Sequence, residues 1–263
     1  MSRTVEASPP SGSPSRTGAG FPATNPEPVP DELDPDRVPA HVAWALAGHD
    51  RAEAAIAGPA LLDLVDGALA LGVRWLTVQA LSAADLDHPG DRLAGLLAGL
   101  EALVGDAADQ LAGRGVRLRL TGRRPLPEPL AGLLHRAVDR TAAGDRLTLT
   151  LALGYGGRAE IVDAIAALAD RGVAADQVDE AAISRHLYHP DMPDPDLVVR
   201  PSGDPRVSDL LLWEVAYSEL VFLDTPWTDV RRGHLYQAVL DYQRRDRRYG
   251  GLDAATPDRR GPR

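Results

Sequence analysis

The chain contains no cysteine and no lysine; all 28 basic residues are arginine. Without cysteine there is no disulfide, no thiolate nucleophile and no cysteine-ligated metal, and the composition suits a reducing compartment such as the cytoplasm. Without lysine there is no Schiff-base chemistry and no phosphate-loop lysine. Any diphosphate must therefore be held by guanidinium groups and backbone N–H donors. No apolar run reaches the length of about 18 residues that reads as a membrane span, which leaves at most a peripheral contact with a membrane surface. A concentrated basic stripe is missing too: the formal charge of -10 and pI near 5.1 oppose a nucleic-acid surface but leave room for a local anion site.

What is present divides into a leader and one domain. The first 39 residues carry nine of the 22 prolines, with much Ser, Gly and Thr and no apolar h-region. A disordered leader is expected over 1–37, a domain over 38–251 and a disordered tail over 252–263. From Val38 onward, short Val- and Leu-rich runs alternate with longer amphipathic stretches, the pattern of repeated βα units. The runs are HVAWALA (41–47), VRWLTVQAL (73–81), VRLRLTG (116–122), RLTLTLAL (146–153), DLVVR (196–200) and ELVFL (219–223). Helices are expected over 59–72, 91–115, 128–142, 158–172 and about 228–245. Pro59 sits at an early helical position, and Gly72, Gly113 and Gly115 act as stops. The expected fold is a single α/β domain, a mainly parallel sheet of about six strands surrounded by helices, whose ligands bind at the carboxyl ends of the strands.

Two stretches at such ends carry candidate chemistry. GYGGRAEI, with Gly154, Gly156, Gly157 and Arg158, allows close backbone approach and offers a helix N-terminus to an anion; a tight strand-to-helix turn without ligand explains it equally well. In DLVVRPSGDPRVSDLLLWEVAYSEL, Arg200, Arg206 and Ser208 share one loop and can bind a diphosphate through charge-assisted hydrogen bonds. Surface arginines paired with Asp204 and Asp209 are the plain alternative. His186 and His189 lie three apart, but with no third ligand nearby a helix-end role outweighs a metal site. His41 is read as structural, and Trp213, Tyr217 and Leu220 as core or dimer-interface residues.

The second stretch closely resembles the signature of the cis-prenyltransferases, the undecaprenyl diphosphate synthase family. That signature runs Arg-x-Gly/Ser-Gly-Glu-x-Arg-x-Ser-Asn-Phe and then Trp-Gln-x-Ala-Tyr-x-Glu. The resemblance continues in order through HVAWALAGHDR, LTVQALSAADLDHP, VRLRLTGRRPLP, LALGYGGRAEIVDA, DTPWTD and RRDRRYGG. It implies condensation of isopentenyl diphosphate with an allylic diphosphate into Z-configured prenyl chains, usually with Mg²⁺. It assigns Arg200, Arg206 and Ser208 to isopentenyl diphosphate and Glu219 to the metal.

The resemblance is uneven. The family opens His-x-x-x-x-Met-Asp-Gly-Asn-Gly-Arg-Trp-Ala, so His41, Gly48 and Arg51 match while Ala47 takes the place of the catalytic aspartate. Asp50 replaces a glycine in the same loop and is a candidate substitute ligand. Ser82 is retained, whereas Asp85, Leu86 and His88 replace Asn, Trp and Arg, and Gly154 replaces an Asn. The C-terminal Arg-x-Gly, which in the family reaches across a dimer, appears as Arg248 and Gly250. These departures imply a degenerate accessory subunit that dimerises with a catalytic homologue. The alternatives are an active homodimer with a rearranged allylic site, and a non-enzymatic binder of prenyl diphosphates.

Overall fold

A computed structural model describes residues 27–45 and 58–245. Six strands form one sheet: β1 (His41–Trp44), β2 (Trp75–Ser82), β3 (Val116–Thr121), β4 (Leu147–Tyr155), β5 (Leu197–Arg200) and β6 (Glu219–Phe222). Their order is β3-β4-β2-β1-β5-β6 and every pairing is parallel. Each expected run is therefore a strand, and all the carboxyl ends open on one edge.

The Val and Leu runs become strands because both faces of the sheet are covered, so a period-two alternation of apolar and polar residues is not required. On one face Val42, Trp44, Leu76, Val78, Leu149 and Val199 belong to the main core. That core includes side chains of α1 (Gly58–Leu71), α3 (Asp91–Gly113), α4 (Leu130–Thr141) and α7 (Arg232–Gln243). The other face is built from smaller residues: Ala43, Ala45, Ala152 and Val198 pack with Tyr155, Met192, Leu210 and Leu211. Small side chains let this second cover, which is mostly irregular chain, sit close to the sheet. Two short helices, α2 (Ala83–Leu86) and α6 (Glu180–Ser184), and the longer α5 (Gly157–Asp170) complete the set.

Most boundaries follow local chemistry. Gly72, at φ 81°, ends α1, and Gly115, at φ 75°, follows α3, conformations that cost glycine little. The last helix departs from expectation. Residues 227–229 form a separate 3-10 turn, Val230 and Arg231 are extended, and α7 begins only at Arg232. The cause is a distant anchor: the Arg232 N–H donates to Asp63 Oδ2 of α1 at 2.6 Å and its Nε to Asp63 Oδ1 at 2.8 Å, with both side chains buried. The helices approach so closely that a Cβ on Gly67 would lie 2.8 Å from Arg232 Cβ.

The start of the domain also shifts. Within the segment expected as leader, Leu33 is buried in the main core, and Asp34 exchanges two hydrogen bonds with the Gln243 side chain on α7. Residues 1–26, 246–251 and the expected tail lie outside the described residues.

Removing one member of a buried, hydrogen-bonded ion pair leaves the other uncompensated, which costs about 3 kcal/mol or more. Asp66 also reaches Arg232 Nη2, at 3.5 Å, so Asp63→Ala is expected to lower the unfolding free energy by less, about 1–3 kcal/mol in urea titration. A loss below about 1 kcal/mol would mean that α7 is held by its apolar contacts alone.

Candidate anion site at the sheet edge

Arg200 is the last residue of β5, and its side chain is only 4% exposed. Its Nη1 donates to the Ala45 carbonyl at 3.0 Å and its Nη2 to Asp204 Oδ2 at 2.9 Å, while Nε is buried with no partner among the described residues. A guanidinium taken out of water needs a neutralising partner nearby. Asp204 reaches it because the chain reverses in a tight turn with Ser202 at φ 71° and Gly203 at φ 66°. The turn is pinned to the exit of β6: Ser202 N donates to Thr225 O and Gly203 N to Leu223 O, each at 2.8 Å.

Asp204 also receives Arg206. The Arg206 Nε donates to Oδ1 at 2.9 Å, its Nη2 to Oδ2 at 3.0 Å, and its backbone N to Oδ1 at 3.1 Å. Hydrogen bonds from Arg206, reinforced by the charge of Arg200, pull the Asp204 carboxyl down to about 2. One carboxylate therefore stands between two guanidinium groups at the strand end, with the Asp224 carboxylate close to the turn at Gly203. Ser208 lies two residues on, its Oγ accepting from Leu210 N at 3.1 Å. The loop thus brings Arg200 and Arg206 onto one carboxylate, with Ser208 just beyond.

The next residue ties this loop to the glycine-rich turn. Asp209 O accepts from Gly157 N at 2.8 Å, and Asp209 Oδ1 accepts from Arg158 N at 3.0 Å. A carboxylate from a distant segment thus satisfies two of the open N–H groups at the start of α5 and complements its dipole. A Cβ on Gly156 would lie 2.7 Å from Asp209 Oδ2, and one on Gly157 2.8 Å from Leu212 N. Gly156 and Gly157 therefore make room for the 209–212 segment, and those two N–H groups are already taken.

Other expected site residues are placed elsewhere. Ser82 ends β2, but its hydroxyl donates to Asp85 Oδ2 at 2.7 Å and accepts from Asp85 N at 3.1 Å, forming a capping box for α2. Glu219 opens β6 in register with Leu197, whereas Arg200 is in register with Phe222. The loop and Glu219 therefore stand at opposite ends of the strand pair, about 10 Å apart at about 3.3 Å per residue, and Glu219 pairs with Arg245 at 2.9 Å. Ala47, Gly48, Asp50, Arg51, Arg248 and Gly250 lie outside the described residues.

The histidines and Trp213 take scaffold positions, whereas Tyr217 is exposed rather than in the core. His41 is buried between Pro193 O (2.6 Å) and Thr77 Oγ1 (2.8 Å), and burial lowers its pKa to about 4. A carbonyl only accepts, so the neutral ring carries its proton on Nδ1. His186 Nδ1 meets Ala182 O at the end of α6, and His189 Nε2 meets Leu120 O. Trp213 Nε1 donates to Ser184 Oγ at 3.0 Å, Leu220 packs on the second core, and Tyr217 is 68% exposed.

Beneath α5 lies an acid cluster that reading the sequence did not single out. Glu160 is buried and accepts from the Tyr155 hydroxyl and from Tyr188 N, while the Tyr188 hydroxyl donates to Asp163. Glu214 is buried as well, with Oε2 unpartnered among the described residues. Desolvation, then the charge of Glu160, pushes its carboxyl up to about 8. The signal was visible in the motif: the family pattern has Gln where Glu214 stands and Asn where Asp209 stands.

Comparison with known proteins agrees with this fold. The family model for undecaprenyl diphosphate synthase, a prenyltransferase family, matches residues 43–250. A trans,polycis-polyprenyl diphosphate synthase ((2Z,6E)-farnesyl diphosphate specific) of Thermobifida fusca is 42% identical over 89% of this chain and 87% of its own. An isoprenyl transferase of Heliobacterium mobile is 38% identical, covering 84% and 91% respectively. Among solved structures, lavandulyl diphosphate synthase from Lavandula x intermedia, in complex with dimethylallyl diphosphate, superposes with a TM-score of 0.75 at 27% identity, over 82% of this chain and 99% of that one. The chain belongs to the undecaprenyl diphosphate synthase family of cis-prenyltransferases.

Two outcomes follow from the supporting groups. Asp209→Asn keeps the acceptor and is expected to be tolerated. Asp209→Ala removes a helix cap and should cost about 1–2 kcal/mol in chemical denaturation; equal stabilities would show that the cap contributes nothing. For Glu214, the folded state binds a proton that the unfolded state has lost, so stability falls as pH rises from about 5 through about 8. Glu214→Gln should flatten the melting-temperature profile over that window, whereas parallel profiles would show that Glu214 does not titrate there.

Proposed function

We propose that this chain holds isopentenyl diphosphate on the Arg200, Arg206 and Ser208 loop and works in Z-polyprenyl diphosphate synthesis as the accessory member of a dimer with a catalytic homologue. The observation that carries the first half is Arg200: a buried guanidinium with an unpartnered Nε at the carboxyl end of β5, where a diphosphate oxygen would complete its bonding. The second half rests on departures from the family pattern. Ala47 offers no ligand to a metal, and the Ser82 hydroxyl is engaged by Asp85.

A Mg²⁺ ion does not fit the described part of this chain. Asp204 accepts from both arginines through its carboxylate oxygens, and Glu219 stands at the far end of the strand pair against Arg245. We therefore assign metal-dependent ionisation of the allylic diphosphate to the partner. What this chain's own residues supply is charge neutralisation and orientation of the isopentenyl diphosphate, held on the partly buried loop that Asp204 fixes. No described helix is long and apolar enough to cross a membrane, and we place the protein in the cytoplasm, at most peripheral to the membrane surface.

A second reading, an active homodimer with a rearranged allylic site, is favoured by the 42% identical relative named as a synthase. Turnover of labelled isopentenyl diphosphate separates the two. The purified chain is expected to be inactive with short allylic diphosphates and Mg²⁺, and to raise the activity of a homologue carrying Asp at the position of Ala47. Turnover by the chain alone that vanishes in Arg206→Ala would overturn the accessory role and establish the second reading.

A further inference from the structure

A second cationic locus lies on the same sheet edge, on the opposite side of β1. A cavity of about 370 Å³ opens among the ends of β2, β3 and β4, lined by Arg123, Arg124, Arg158, Gly154, Ala83 and Val162. It lies within the range of about 300–1,000 Å³ typical of small-molecule pockets. β4 and β5 are three strands apart in the sheet, so the two loci are separated by about 14 Å at about 4.8 Å per strand. The cavity is thus centred away from Arg200, and Asp209, just beyond the Arg200 loop, borders it at Gly156 and Arg158.

We propose that this cavity is a second diphosphate-binding site. Its polar wall is almost entirely guanidinium. In a chain with a net charge of -10, three arginines converge on one cavity. Arg123 pairs with Asp163 through Nη1, and Arg124 pairs with Asp87 through Nη2 at 2.8 Å. The Arg158 guanidinium has no ion-pair partner among the described residues. Asp209, held on the Arg158 N–H beside Gly156, is the third carboxylate at the cavity, and it is bound to backbone rather than to a guanidinium.

The existing pairs do not close the site. Each guanidinium has five N–H donors, and in these two arginines a single nitrogen is engaged, leaving the rest of the fork for phosphate oxygens. Both pairs are substantially exposed, with side-chain exposures of 53% for Arg123 and 41% for Arg124, so little holds them against a polyanion. The N-terminus of α5 is not the basis of the site, because Asp209 already accepts from two of its N–H groups. Ala83, Ala159 and Val162, the last 61% exposed, give one wall an apolar character. A short hydrocarbon attached to the diphosphate would find a surface there. The shared chemistry is a diphosphate group, from either a prenyl diphosphate or free pyrophosphate.

Isothermal titration of inorganic pyrophosphate into the full chain tests the proposal without requiring turnover. The wild-type chain is expected to show a binding event that weakens at least tenfold in the Arg123→Ala/Arg158→Ala double variant and persists in Arg206→Ala. Both substituted side chains are exposed, and Arg158→Glu alone provides a charge-reversal check that leaves the Arg123–Asp163 pair in place. Pyrophosphate binding unchanged in both the double variant and Arg158→Glu overturns the proposal. A defect confined to Arg206→Ala does so as well. Loss of this event in the double variant while Arg206→Ala weakens only a separate event upholds both sites; no effect of Arg206→Ala on any event removes the Arg200 loop reading alone, so the two fail separately. Dimethylallyl diphosphate distinguishes the sources: binding at this site at least tenfold tighter than pyrophosphate assigns a prenyl diphosphate, and equal binding assigns free pyrophosphate.

Discussion

A guanidinium that is only 4% exposed, at the end of the strand next to the sheet's edge, sets the terms for everything around it. Arg200 cannot be left bare in that position. Its charge is met by Asp204, its Nη1 by the last described carbonyl of the β1 segment, and its strand by β6 on the other side. The turn that carries Asp204 must therefore reverse sharply, with Ser202 and Gly203 in the left-handed region, and it is pinned by two backbone bonds to the chain leaving β6. Arg206 then arrives on the same carboxylate, and the loop gathers two guanidinium groups in an otherwise acidic protein.

That arrangement explains why the neighbouring segments are built as they are. The sheet face under the loop carries alanines and Val198 where the opposite face carries Val, Leu and Trp, so irregular chain packs close to it. Asp209 fastens the loop to α5, and the glycines at 156 and 157 leave room for that approach. The family amides at two points of this cover are acids here, Asp209 and Glu214. The first is matched to a helix N-terminus. The second is buried near Glu160 without a cationic partner, and it holds its proton well above the usual carboxylate range because burial disfavours the charge.

Much of this was legible in the sequence. The six Val- and Leu-rich runs are the six strands, because residues buried on both faces need no alternation and stand out as continuous apolar stretches. Gly72 and Gly115 mark helix ends for a conformational reason visible in the residue itself. Ser82 and Asp85 have the spacing of a capping box, so the sequence also marks a helix start there. Less legible were the relations between distant segments. Asp209 lies some fifty residues from the helix it caps, and Asp63 lies farther still from Arg232. Glu219 looked close to Arg200 in the motif, yet strand register puts them at opposite ends. Leu33 sits in a proline-rich stretch whose composition concealed its place in the core.

The central claim is that the Arg200, Asp204 and Arg206 arrangement binds a diphosphate. Equilibrium binding of isopentenyl diphosphate to the purified chain tests it most directly, since it does not depend on whether the chain turns over alone. The account predicts saturable binding that weakens with added salt, as charge-assisted contacts on a partly exposed loop should, and that falls at least tenfold in Arg206→Ala while the fold is retained. Binding that is absent in a folded sample, or unchanged by Arg206→Ala, would contradict it.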